Sequence, residues 1–118
     1  MNNKQLADRL QRFALEVVLL SRSFSYFPDT SIIRRQLIKS VTSAAANYRA
    51  ARCGRSRKEW YAKLCISIEE MDETQFWLQL ATQLDYLSED AINDSIQEAV
   101  VLTKILAKIR SSAKKNGV

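Results

Sequence analysis

Residues 32–53 read IIRRQLIKSVTSAAANYRAARC. Ile33, Leu37, Val41, Ala44, Tyr48 and Ala51 recur there at steps of three or four, which puts them along one face of an α-helix. The middle is unusually small: Ser40, Ser43, Ala44, Ala45 and Ala46, then Ala50 and Ala51. Small side chains let a second helix approach closely, so the tightest packing is expected along this stretch. Gly54 follows as a natural stop, because a residue without Cβ adopts the left-handed turn that ends many helices.

The same periodicity extends on both sides. Upstream, Leu6, Leu10, Phe13, Val17, Leu20 and Phe24 make one apolar stripe in a first helix over about 4–23. Pro28 then interrupts, biasing Phe27 away from helical geometry. Asp29, Thr30 and Ser31 are the candidate caps of the second helix, over about 32–53. Downstream, Ser56-Arg57-Lys58-Glu59 has the Ser-x-x-Glu form of a capping box and opens a third helix over 57–86. That helix carries two apolar lines: Tyr61, Leu64, Ile68, Met71 and Leu78, and then Trp77, Leu80, Leu84 and Leu87. A fourth helix is expected over 89–113, with Ser88 as its cap and Ile92, Ile96, Ala99, Leu102, Leu106, Ile109 and Ala113 as its apolar face. Lys108, Arg110, Lys114 and Lys115 crowd its far end, where the helix dipole favours cations.

Four long helices joined by short connections predict one domain, residues 1–118. Its economical form is an all-α, up-down-up-down antiparallel four-helix bundle. The chain has 118 residues with only 2 Gly and 1 Pro, too few turn residues for an all-β fold. Two apolar lines on one helix exceed what a single bundle can bury, and the neighbouring aromatics of Trp60-Tyr61 and Phe76-Trp77 point in different directions. A homo-oligomer is therefore expected.

Several function classes drop out. No histidine is present, so histidine-based nucleophile systems are impossible within one chain. Glu69, Asp72 and Glu73 cluster on one helix side, but no nucleophile or phosphate loop accompanies them. The Glu-x-x-His ligand pattern of bundled metal sites is missing. No enzyme, cofactor, metal or small-molecule substrate is expected. Cys53 and Cys65 read as free thiols, and Cys65 as inert core. The opening MNNKQLADRLQRF is broken by charges before any apolar run, so neither a signal peptide nor a membrane span is expected, and the expected location is cytoplasmic.

Charge carries the positive signal. The whole chain is +5, with 18 Lys and Arg against 13 Asp and Glu. From Arg34 to Lys63 the net charge is +8, and from Leu64 to Ala99 it is −9. Arg34, Arg35, Lys39, Arg49, Arg52, Arg55, Arg57 and Lys58 are the candidate contacts to RNA or DNA phosphates, centred on the corner between the second and third helices. The competing expectation is a protein-only scaffold whose bases pair with acids of neighbouring subunits. Asn47, mid-helix among the small residues, reads as a structural hydrogen bond inside the bundle.

Three blocks together resemble a known family: Ser40-Val41-Thr42-Ser43-Ala44-Ala45-Ala46-Asn47-Tyr48-Arg49-Ala50-Ala51-Arg52, Ser56-Arg57-Lys58-Glu59-Trp60-Tyr61-Ala62-Lys63-Leu64, and Glu69-Glu70-Met71-Asp72-Glu73-Thr74-Gln75-Phe76-Trp77-Leu78. They resemble the four helix bundle proteins known as 23S ribosomal RNA intervening-sequence proteins, to which the accessory variability determinant of diversity-generating retroelements is related. Where family members often carry Gly before the motif Asn and Ala-Glu-Gly after it, this chain has Ala46 and then Tyr48-Arg49-Ala50-Ala51. The resemblance implies a cytoplasmic homopentamer without enzymatic activity. It further implies nucleic-acid binding through a basic surface and a role as accessory to a ribonucleoprotein or a reverse transcriptase.

Overall fold

The structure is a computed structural model that describes residues 1–117, and among them it has four helices and no strand: α1 (Asn3–Ser21), α2 (Thr30–Arg52), α3 (Arg57–Gln83) and α4 (Glu89–Lys115). They lie side by side in a rod of 47 × 21 × 20 Å. The apolar stripes meet along its axis. Leu10, Phe13, Val17, Leu37, Val41, Tyr48, Leu64, Met71, Leu78, Ile92, Leu102 and Leu106 are all essentially inaccessible to solvent.

The small stretch of α2 does bring a neighbour close. Ser67 Oγ of α3 donates to the backbone oxygen of Ala44 at 2.7 Å. Thr74 Oγ1 of α3 lies 3.0 Å from Ser40 Oγ and 2.8 Å from the Glu70 carbonyl. Ser40 Oγ in turn donates to the Leu37 carbonyl. Residue numbers fall along α2 as they climb along α3. Ser40, Ala44, Ser67 and Thr74 are buried, and no buried side-chain polar atom lacks a partner among the described residues, so hydrogen bonds offset the cost of desolvating the seam. Asn47 is bonded within α2, its Nδ2 donating to the Ser43 carbonyl at 2.9 Å and to Ser43 Oγ at 3.1 Å. α1 and α4 are joined by Arg9, which grips Glu98 through two bonds of 2.8 and 2.7 Å. Between α3 and α4, Gln75 Nε2 donates to Thr103 Oγ1.

The helix ends differ from the sequence expectation in informative ways. α3 stops at Gln83, three residues before the expected 86. Asp85 takes the left-handed conformation, φ 60°. The Tyr86 N–H bonds to the Ala81 carbonyl and the Asp85 N–H to Thr82, the pattern of a Schellman termination. The turn swings Tyr86 into the core, against Phe24 and Phe27, with its hydroxyl donating to Asp29. Asp29 is thereby diverted from its expected capping role and makes no cap bond to α2. Thr30 organises that turn instead, accepting from the Phe27 N–H and donating to the Ser25 carbonyl.

The expected capping box at Ser56 is half formed, with Ser56 Oγ accepting from the Glu59 N–H at 3.1 Å. A complete reciprocal box stands at the start of α1, between Asn2 and Gln5. Cys53 is exposed and Cys65 half-buried, both as free thiols. The first apolar line of α3 enters the core, except for half-buried Tyr61. The second runs along the outside: Trp77, Leu80 and Leu87 are half-buried and Leu84 is exposed.

Candidate nucleic-acid interface

The eight bases chosen from the sequence are spread along the rod. Arg34 and Arg52 sit 18 residues apart on one straight helix, which is about 27 Å. Arg34 is half-buried and committed to structure: its Nε donates to the Ser21 carbonyl at 2.8 Å, and its guanidinium lies over the Phe24 ring. Arg35 is exposed beside it, with both lining a shallow groove with Ser31 and Ile38, and Lys39 is exposed one turn further along. Arg34 and Arg35 share the end that carries Asp29, Asp85, Glu89 and Asp90, whereas Lys39 lies near the middle of α2.

Arg49, Arg52, Arg55, Arg57 and Lys58 gather at the opposite end, all exposed. Gly54 sets the corner. A Cβ there would meet the Ala51 carbonyl at 3.1 Å and the Trp60 backbone nitrogen at 3.3 Å, so the chain closes tightly onto the first turn of α3 because no side chain intervenes. A groove between α1 and α2 brings Lys4 beside Arg49 and Arg52. Its one acid, Asp8, is bridged by Lys4 at 2.9 Å. The Lys4 hydrogen bond holds the Asp8 carboxyl below the ordinary carboxylate range, and Lys4, Arg52 and Arg12 pull the same way through their charge.

Half of this surface lies outside the Arg34–Lys63 stretch that carries the basic signal in the sequence. The last turns of α4 lie against the first turn of α3, so that Lys108 and Arg57 line one cleft together with Trp60 and the start of α1. Lys108, Arg110, Lys114 and Lys115 therefore join the same end. The signal was visible as a cationic run but was assigned to its own helix dipole. Packing adds it to the α2–α3 corner. Ten bases (Lys4, Arg49, Arg52, Arg55, Arg57, Lys58, Lys108, Arg110, Lys114 and Lys115) face two acids, Asp8 and Glu59, at this end. Among the described residues the ion pairs are Lys4–Asp8 and Arg9–Glu98 alone. None of the eight bases chosen from the sequence is neutralised by a described carboxylate. Like charges so crowded repel one another and favour a polyanion.

Glu69 and Asp72 are exposed, and half-buried Glu73 accepts from Trp77 Nε1 at 3.0 Å. Among the described residues no group of three His, Cys, Asp or Glu is disposed to hold a metal ion. No described helix is long and apolar enough to cross a membrane.

Comparison with known proteins places these features in context. The sequence model of a family described as 23S rRNA-intervening sequence protein matches residues 3–108. No curated protein matches the chain. Among solved structures, the chain is similar to a protein of unknown function from the S23 ribosomal protein family of Bacteroides thetaiotaomicron. The TM-score is 0.80 and the identity 27%, over 89% of this chain and 97% of that one.

Proposed function

The chain belongs to the 23S rRNA-intervening sequence protein family, and from that premise we propose that it is a non-enzymatic, cytoplasmic nucleic-acid-binding protein that grips RNA or DNA phosphates with the basic end of its rod. The observation that carries this reading is the set of ten bases converging on one end against two acids. Arg49, Arg52, Arg55, Arg57 and Lys58 form its centre. Arg35 and Lys39 make a lesser, separate contact on the flank. The framework is an up-down-up-down bundle, supported by the reversed numbering of the α2–α3 contacts.

The protein works as a homo-oligomer, a pentamer as the family resemblance implies. The apolar side chains left outside the core support association: Leu15 is 58% exposed, Phe76 54% and Ile32 61%. As an accessory to a ribonucleoprotein or a reverse transcriptase, it would hold the nucleic acid while a partner acts on it.

One observation favours a second reading. The outer face of α3 carries Glu69 and Asp72 close to exposed Phe76, a surface suited to a basic, apolar partner such as a neighbouring subunit. In that reading the protein is a scaffold whose arginines meet those acids.

Gel-shift titration against salt separates the two. Phosphate neutralisation predicts affinity that falls steeply as salt rises, and flat binding overturns it. Arg49→Glu with Arg52→Glu abolishes binding while the mass by light scattering stays that of the unaltered oligomer. If the double change instead dissolves the oligomer, the arginines belong to the subunit interface.

A further inference from the structure

The basic end holds a feature that phosphate binding alone does not use. A cleft of about 550 Å³ opens where the start of α1, the first turn of α3 and the last turns of α4 converge. That volume is within the range that takes small organic groups. Its floor is apolar, built from Leu6, Ile105, Ile109 and the indole of Trp60. Its rim is cationic and amidic, with Arg57, Lys108, Asn3 and Asn116, and no acid lines it. Trp60 is half-buried, packing against the core while still lining the cleft. The Arg57 guanidinium already lies over its ring, 5.6 Å from the centroid.

We propose that this cleft is a stacking site for an unpaired nucleobase of a single-stranded nucleic acid. The inference deepens the phosphate-binding reading and rests on it. An indole offers a flat π-face that accepts any base, and guanidinium planes stack on bases in the same way. The base enters by exchanging with the guanidinium over the ring, which frees the Arg57 N–H donors for the flanking phosphate. Lys108 supplies the second phosphate contact across the cleft. The side-chain amide of Asn116 offers a donor and an acceptor to a base edge, and Asn3, whose Oδ1 accepts from the Tyr48 hydroxyl, offers its N–H donors. A duplex keeps its bases stacked on one another and out of reach, so the cleft selects single strands, while the bases on α2 bind either form.

The experiment uses the Trp77→Phe protein, in which Trp60 is the one remaining indole. It is titrated with a short unstructured RNA strand and with a blunt duplex of equal length. The single strand quenches Trp60 emission and the duplex does not. Trp60→Leu lowers single-strand affinity roughly tenfold, the worth of one stacked base, and leaves duplex affinity unchanged. Trp60→Phe keeps a smaller ring and falls between. Absent quenching, equal quenching by duplex, or a Trp60→Leu loss shared equally by both ligands overturns the stacking site. So does Trp60 emission that shifts with protein concentration alone, which would assign the cleft to a second copy of the chain. If both ligands bind with steep salt dependence while Trp60 stays silent, the stacking site fails and the phosphate reading stands. If neither ligand binds, both fail.

Discussion

The two ends of the rod are built on opposite principles. At the acidic end, where the α1–α2 loop meets the α3–α4 turn, polar groups are tied back into the fold. Tyr86 is buried against Phe24 and Phe27 and donates to Asp29; Arg34 holds the end of α1; Thr30 bonds two backbone groups; and the Ser25 N–H donates to the Tyr86 carbonyl. At the basic end a tight glycine corner leaves Arg49, Arg52, Arg55, Arg57 and Lys58 in solvent. One end holds the structure together, and the other keeps unneutralised charge available. Changes at the first should move stability and spare binding, and changes at the second should do the reverse.

The largest expected effect is at the acidic end. Tyr86→Ala removes a fully buried ring and its hydrogen bond, and should cost about 3–5 kcal/mol in chemical denaturation while the salt dependence of nucleic-acid binding stays as it was. A comparable loss of binding per folded molecule would break the division. At the basic end, Lys108→Ala with Lys114→Ala should reduce the slope of log affinity against log salt by about two and leave the denaturation midpoint within about 0.5 kcal/mol. That result would also confirm that the α4 terminus shares the surface of the α2–α3 corner.

A pH experiment reads both ends at once. Burial lifts the phenols of Tyr48 and Tyr86 above their ordinary value, and for Tyr86 the bond to Asp29 adds to this. Unfolding returns both to about 10, so the unfolded chain releases these protons first as pH climbs. Their contribution is therefore complete below that value and is lost as pH rises towards the folded values. Thermal midpoints should drop as pH rises beyond about 10, and Tyr86→Phe should flatten part of that drop. The smallest effect is at the left-handed Asp85: Asp85→Gly should raise stability by about 0.5 kcal/mol and Asp85→Val lower it by about 1 kcal/mol.

The four helices were legible because each carries an apolar stripe that repeats over several turns, and most of the central positions of the main stripes are buried. The tight α2–α3 seam was legible too, since only small residues permit it. The end of α3 was not, because Asp85 takes the place glycine usually holds and the apolar period runs on through Leu84 and Leu87. The capping box at Asn2–Gln5 escaped notice because amides, not Ser and Glu, form it. The bases themselves were plain to read, but their grouping was not. Linear proximity joined Arg34 to Arg52, which the length of α2 separates, and kept Lys108 apart from Arg57, which one cleft unites.

The seam of Ser40, Ala44, Ser67 and Thr74 has a consequence for how this chain can change over time. Each hydroxyl there either touches the other helix or sits where a longer group would wedge the pair open, and Ala44 lends Ser67 its main-chain oxygen only while the two backbones stay close. Drift at any one of the four positions is confined to side chains of about the same bulk, whereas the solvent-facing arginines a few residues away are free to vary in number and place. Such a protein can redistribute the charge at its tip without renegotiating its interior.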